Sequence, residues 1–296
     1  MNATSDTDTD TASDDARSDW LAWRARREET LREPNGWLSL TSLTWLDADP
    51  RSVPGFPGLW SATGPGDTGQ EDPSALDSPR WQARALLPDD AGVAQDGASV
   101  AGTVAIALGP GDSDRSLACD GSVAEVAQRG RGVIVRIRDP RARTRAGFRG
   151  VPVFDFDPDW IRPARFTADA EPREITVPSA QAGLTTRLTA IGRAAVALPD
   201  GSVAGLLVTG SAESPSVIFH DTTNGAETSA WRTAPVLLPE AGDASRDALV
   251  DFNRSTNFPA HFTAYGTCPT PPEGNDLPVA VTAGEKAPAA PAPSEG

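Results

Sequence analysis

A mainly β fold is predicted for this chain: an antiparallel sandwich or barrel, one N-terminal helix and a proline-rich C-terminal loop block. Three observations predict it. From residue 55 onward glycine and proline recur every few residues, 27 of each in 296 residues. Between them lie short β-branched runs: VAIAL (104–108), VAEVA (123–127), GVIVRIR (132–138), REITV (173–177), LTTRLTAI (184–191), SVAGLLV (202–208) and SVIFHDTT (216–223). Strand-like runs at a spacing of about ten residues, without helical patterns between them, favour antiparallel pairing over parallel βαβ units. In GVIVRIR, finally, Val133, Val135 and Ile137 share one face while Ile134, Arg136 and Arg138 share the other, the period of a half-buried strand.

The elements follow in chain order. A helix is predicted over about 15–33, capped by Asp14 or Asp15 and stopped by Pro34 and Gly36, with Trp20, Trp23 and Leu31 as a partial apolar stripe. GWLSLTSLTWLDAD, rich in Leu and Trp, reads as the first strands. Residues 1–14 are Asp/Thr/Ser-rich and read as a disordered acidic tail, and APAAPAPSEG (287–296) as a disordered Pro/Ala tail. A single β-rich domain is expected over 15–286.

Composition narrows the function classes. The net charge is −15 with a pI near 4.5, and 26 basic residues comprise 25 Arg and the one Lys286. Abundant Asp with almost no Lys suits a protein adapted to high salt, where screening limits self-repulsion. Such a surface repels nucleic acid, which is not expected as a partner. No apolar run is long enough for a membrane span and residues 1–19 lack an apolar signal segment, so neither membrane nor secretion is expected. Two cysteines, Cys119 and Cys268, form no disulfide framework, and a cytoplasmic location fits.

Polar residues concentrate in two places. In VIFHDTTNGAETSAW (217–231), Asn224-Gly225 between strand-like runs predicts a two-residue type I′ hairpin. That register puts Phe219, Asp221, Thr223 and Thr228 on one face and His220, Thr222, Glu227 and Ser229 on the other. Either face could line a cleft, or both could be ordinary polar cross-strand pairs. The block 251–286 carries Asp251, Asn253, Arg254, His261, Cys268, Asn275 and Glu285 among five prolines. Proline excludes a helix there, and irregular backbone over a β scaffold presents fixed polar groups. The bland reading is that Asp251, Asn253 and Asn275 cap their own turns.

Several chemistries lack their residues. The sequence has no H-E-x-x-H, C-x-x-C, G-x-S-x-G or glycine-rich phosphate loop, so no metal or cofactor is implied. DFDPD (155–159) lacks the glycine and distal Glu of a calcium loop. A Cys268–His261 thiol pair is conceivable, though a lone Cys before Pro is more often a small buried hydrophobe. Residues 129–149 hold eight Arg and one Asp; Arg136 and Arg138 could bind a small anionic ligand or an acidic partner, or pair with the chain's own acids.

The block 251–286 resembles the D-F-N-R … T-C-P-x-P-P-x-x-N-x-L-P … A-G-E-K signature of the domain of unknown function 1684 family. Phe219, Asp221, Thr223, Gly225, Glu227 and Thr228 are similar to its F-x-D-x-T-x-G-x-E-T element, and GWLSLTSLTWL (36–46) to its N-terminal motif. The resemblance covers about 20–286. It departs at Ala260, where the family has a second Cys, at Ser229, where it has Tyr, and at Thr233, where it has Arg. The resemblance implies that Asp221, Thr223, Glu227, Thr228, Asp251, Asn253, Cys268, Asn275 and Glu285 share one site or scaffold; it names no reaction.

Two functional readings follow. In the first, the chain binds a small polar molecule or is a hydrolase-type enzyme. Asp221, Thr223, Glu227, Thr228, Asp251, Asn253 and Glu285 do the chemistry, and Arg136, Arg138, His261, Cys268 and Asn275 hold the ligand. In the second it is a non-enzymatic structural or partner-binding β module whose polar motifs pin loops.

Overall fold

The computed structural model describes residues 6–65, 81–239 and 245–289. The fold is mainly β, with antiparallel sheets. The chain forms two compact units where one domain is expected: residues 31–148 with 263–265, and residues 1–30, 149–262 and 266–296. The physical reason is that two apolar cores form, with no residue in common.

The first unit is a sandwich. Its strands are β1 (Leu40–Leu46), β2 (Arg51–Val53), β3 (Phe56–Thr63), β4 (Trp81–Leu87), β5 (Ala94–Gln95), β6 (Ala98–Ser99), β7 (Gly102–Leu108), β8 (Ser113–Cys119), β9 (Ser122–Arg129) and β10 (Gly132–Arg138). They form a six-stranded sheet, β1-β10-β9-β8-β5-β6, and a four-stranded sheet, β2-β3-β4-β7. Alternate residues of both sheets meet in one core containing Trp60, Ile106, Leu117, Val126, Val133, Val135 and Ile137. β10 matches its predicted span, but it is not half-buried: both of its faces are covered. The opposite face is closed because Arg136 lies directly across from Glu125 on β9, and both Arg136 and Arg138 stack on Trp37. Pairing lets long cationic side chains sit where alternation alone predicts solvent.

The second unit is a closed six-stranded barrel. Its strands, in order around the barrel, are β11 (Ile161–Pro178), β12 (Thr185–Ala197), β13 (Val203–Gly210), β14 (Pro215–Phe219), β15 (Arg232–Leu237) and β16 (Ser245–Asp251), with β16 returning to β11. Phe166, Val196, Leu206, Val208, Val217, Phe219, Val236 and Val250 fill it. The C-terminal block supplies Leu277, Val281 and Ala283 to the same core, and Phe252 packs edge-on against Phe219 and Trp160. Burying such side chains contributes roughly 1.5–3 kcal/mol each, so the block is part of the barrel's stability and not a loose cover. Gly284 lies at φ +77°, where an added Cβ would meet the Ser255 carbonyl oxygen at 2.7 Å, so the turn that returns the block to β16's end requires glycine.

The helix α1 spans Asp6–Leu31, nine residues earlier than predicted. Acidic residues near a helix start are favoured by its dipole, so part of the expected tail extends the helix. Residues 1–5 and 290–296 of the expected tails lie outside the described residues. No described helix is long and apolar enough to cross a membrane.

Candidate functional site

The loop 220–231 and the C-terminal block meet, and one buried arginine joins them. β14 and β15 pair only from Ser216↔Pro235 to Phe219↔Arg232, so twelve residues connect them where a two-residue turn is predicted. Gly225 has φ +77° but Asn224 does not have the positive φ that a type I′ turn needs. Side chains have taken over the backbone's partners. Asp221 Oδ1 accepts from Thr223 N at 2.8 Å and Thr223 Oγ1 at 2.5 Å. Asn224 Oδ1 accepts from Asp221 N at 2.8 Å, and its amide donates to Thr228 Oγ1 and to the Ser229 carbonyl. The two threonine hydroxyls are 2.7 Å apart.

Arg232, on β15, is completely buried. Its Nη2 donates to Asp221 Oδ2 at 2.9 Å and to the Val281 carbonyl at 2.9 Å; Nη1 donates to the carbonyls of Ala283 at 2.6 Å and Glu285 at 3.1 Å. Asp221 also accepts from Val281 N. The guanidinium lies over the Phe219 ring. Burial pulls Arg232 below its ordinary value and Asp221 acts against that shift. Sequence reasoning missed this residue. The resemblance marks an arginine as missing at Thr233, and the buried one stands one position earlier. The signal available was a lone cation opening an otherwise apolar strand.

The other predicted residues are each placed by a structural duty. Asn275 is fully buried: its Oδ1 accepts from Leu207 N at 2.7 Å and its Nδ2 donates to the carbonyls of Leu207 and Ile218 at 3.0 and 2.8 Å. β13 and β14 pair only at Thr209↔Ser216 and Gly210↔Pro215. Continuing that register brings Leu207 opposite Ile218, so the Asn275 amide acts as a rung where the strands part. Asn253 does the same for Asp157, donating to its carbonyl and accepting from its N–H. Asp251 caps Asn253 N at 3.0 Å and lies 3.5 Å from Arg254 Nε. Glu285 accepts from Arg27 Nε at 3.0 Å and from Asn257 N at 2.6 Å.

Six of the residues singled out from the sequence do not join this knot. Glu227 is exposed. Cys268 is buried without a disulfide, its carbonyl accepting from Ala180 N. His261 packs edge-on to Trp231 at 4.5 Å, and burial pushes its protonation below the ordinary value. His220 Nδ1 lies 2.8 Å from the Ala230 carbonyl oxygen. Arg136 and Arg138 belong to the sandwich unit: Glu125 pairs with them at 2.5 and 2.6 Å, so they are not free to receive an anion, the outcome favoured by a chain rich in its own acids. Among the described residues no three His, Cys, Asp or Glu are arranged to hold a metal ion. A partly open cavity in the barrel unit, bounded by Trp23, Arg24, Arg27, Glu28, Asn253 and Glu285 among others, has a volume of about 10 Å³.

The Asp251 carboxyl has its proton affinity raised by burial, against the opposing effects of Arg254 and the Asn253 N–H. It therefore supports the fold most below the ordinary carboxylate range and loses that contribution as pH rises through its raised value. Asp251→Asn should gain melting temperature relative to the native chain between about pH 4 and pH 7; a difference that stays flat over that range would contradict the placement.

Residues 146–286 match the profile of the family described as "Protein of unknown function (DUF1684)". The motif at 36–46 lies outside that match. No curated protein matches the chain. A solution NMR structure of an uncharacterized protein from Haloarcula marismortui is 28% identical over 48% of this chain and 78% of its own, with a TM-score of 0.40. The segment 146–286, which carries the loop of Asp221, the buried Arg232 and the C-terminal block, is similar to the DUF1684 family.

Proposed function

We propose that the barrel unit is a non-enzymatic structural or binding module in which the polar motif residues form an internal latch. One observation carries the reading: both oxygens of Asp221 are taken up, by Thr223, Val281, Asn224 and a wholly buried Arg232. A general base needs a lone pair facing substrate. A substrate pocket holds hundreds of Å³, far above the cavity beside Glu285. The hydrolase or small-molecule reading would have to rest on Asp251 and Asn253 instead, and both already serve backbone groups.

The same reading makes the high-salt composition a matter of solubility. A cytoplasmic location fits two cysteines in thiol form.

A double-mutant cycle tests the latch. Asp221→Ala leaves the Arg232 charge buried and unpaired, a loss on the order of 3–5 kcal/mol. Asp221→Ala with Arg232→Met should recover part of that loss. Catalytic carboxylates are held at a cost in stability, and their removal is often neutral or stabilising. An Asp221→Ala variant as stable as the native chain in urea would therefore overturn the structural reading and return Asp221 to the candidates for chemistry.

A further inference from the structure

Within the barrel unit, α1 lies on the DFNR and AGEK motifs through polar contacts. Trp20 Nε1 donates to the Asn253 carbonyl at 2.9 Å. Arg24 Nη2 donates to the Val151 carbonyl at 3.3 Å and pairs with Glu28 at 3.1 Å. Arg27 enters furthest, with Nε on Glu285 Oε1 at 3.0 Å and Nη2 on the Asn257 carbonyl at 3.0 Å. In these contacts with the motif side the donor comes from the helix; in one other, Arg254 of the DFNR motif donates to Asp19 of α1. Every acceptor the helix meets on the motif side is an oxygen: one buried carboxylate and the carbonyls of Asn253, Asn257 and Val151. Asn257 Oδ1, buried in the same segment, has no hydrogen-bond partner.

That array is complementary to a planar, multiply donating cation, because a guanidinium offers its N–H groups in a fixed fork that carboxylate and carbonyl oxygens can bracket. Three further features mark α1 as an occupant and not a wall. It has no sustained apolar face, and Leu21 is exposed beside the buried Trp20. The barrel's central apolar cluster contains none of its residues; Trp20 is buried against Phe156, so lifting the helix uncovers that ring contact but not the cluster. The cavity of about 10 Å³ between Arg24, Arg27, Glu28, Val151, Asn253 and Glu285 shows that the helix fills the site incompletely, leaving room for about one water.

We propose that the surface formed by Glu285 and the Asn257, Asn253 and Val151 carbonyls is a guanidinium-recognition site, occupied in cis by Arg27. Its ligand class is an arginine side chain of a partner segment, which would have to displace α1. The tether keeps the cis arginine at a high effective concentration, so the site is closed until a better-fitting segment competes. The proposal goes beyond the latch reading and does not rest on it, since Glu285 binds Arg27 and Asp221 binds Arg232.

Chemical rescue of the full-length Arg27→Ala variant tests it. The variant should melt several degrees below the native chain. Guanidinium chloride at about 20 mM, well below denaturing concentrations, should restore at least half of the lost melting temperature by binding the vacated site. Ammonium chloride and sodium chloride at equal ionic strength should restore less than a quarter. If Arg27→Ala is too unstable to purify, Arg27→Gln serves in the same measurement. Glu285→Gln with Arg27 intact should show no guanidinium effect. Equal recovery with ammonium, or none with guanidinium, would overturn the proposal, the first by reducing the site to charge screening and the second by removing the site.

Discussion

Asn275→Asp is expected to destabilise the barrel unit by about 3–5 kcal/mol, the range for a buried polar group that loses its partners and gains a charge. The substitution changes almost no volume, so no cavity contributes. It removes the two N–H bonds that Nδ2 gives to Leu207 and Ile218, and it turns a carboxyl oxygen toward those two carbonyl oxygens. Only the bond from Leu207 N survives. Because Asn275 bridges the place where β13 and β14 part, the loss falls on barrel closure and should carry the whole cooperative unit with it. A domain of this size shifts by roughly 2–4 °C per kcal/mol, so a fall near 10 °C in calorimetry is the expected reading. The buried aspartate resists ionisation, so its deficit should shrink as pH drops toward the ordinary carboxylate range and level off below it. A variant that melts within a degree or two of the native chain would mean that the amide is not the rung that joins the two strands.

Glu125→Ala should be comparably costly in the sandwich unit. Arg136 and Arg138 are both about 1% exposed, and Glu125 is their common counter-ion, with Arg115 also on its Oε2, at 3.5 Å. Removing it leaves two buried guanidinium groups facing each other over Trp37, again a loss on the order of 3–5 kcal/mol. The milder Glu125→Gln isolates the charge. Burial pushes the Glu125 carboxyl up, but Arg136, Arg138 and Arg115 together outweigh it and hold it below the ordinary value. Its contribution is therefore present above the ordinary carboxylate pKa and is lost as pH falls through the lowered one. Acid unfolding followed by tryptophan fluorescence should be less steep in Glu125→Gln than in the native chain. Identical acid transitions would show that the cluster contributes nothing through ionisation.

Local pattern was enough to find the strands. β10 begins and ends at the residues its alternation marks, and β7, β9 and β13 fall on the β-branched runs, because inward and outward positions alternate along any paired strand. The Asp221 loop meets the C-terminal block through Arg232 and Val281. Alternation carries no information about what covers the second face, so the burial of Arg136 and Arg138 was not legible. It depends on Glu125 standing opposite in register and on Trp37 arriving from another segment.

Turn chemistry likewise misled at Asn224-Gly225. A dipeptide preference worth about a kcal/mol is outweighed when Asp221, Thr223, Asn224 and Thr228 satisfy one another and an arginine eleven residues on anchors the acid. Composition and spacing marked residues 221, 251, 253, 275 and 285 as polar and fixed; whether an acid faces a substrate or a guanidinium is set by partners remote in sequence. Arg232 and Arg27 reach Asp221 and Glu285 only because the barrel closes and α1 lies on the unit. Long-range pairing of buried charges is a property of the fold, since the cost of burying each ion is offset only by a partner that folding delivers.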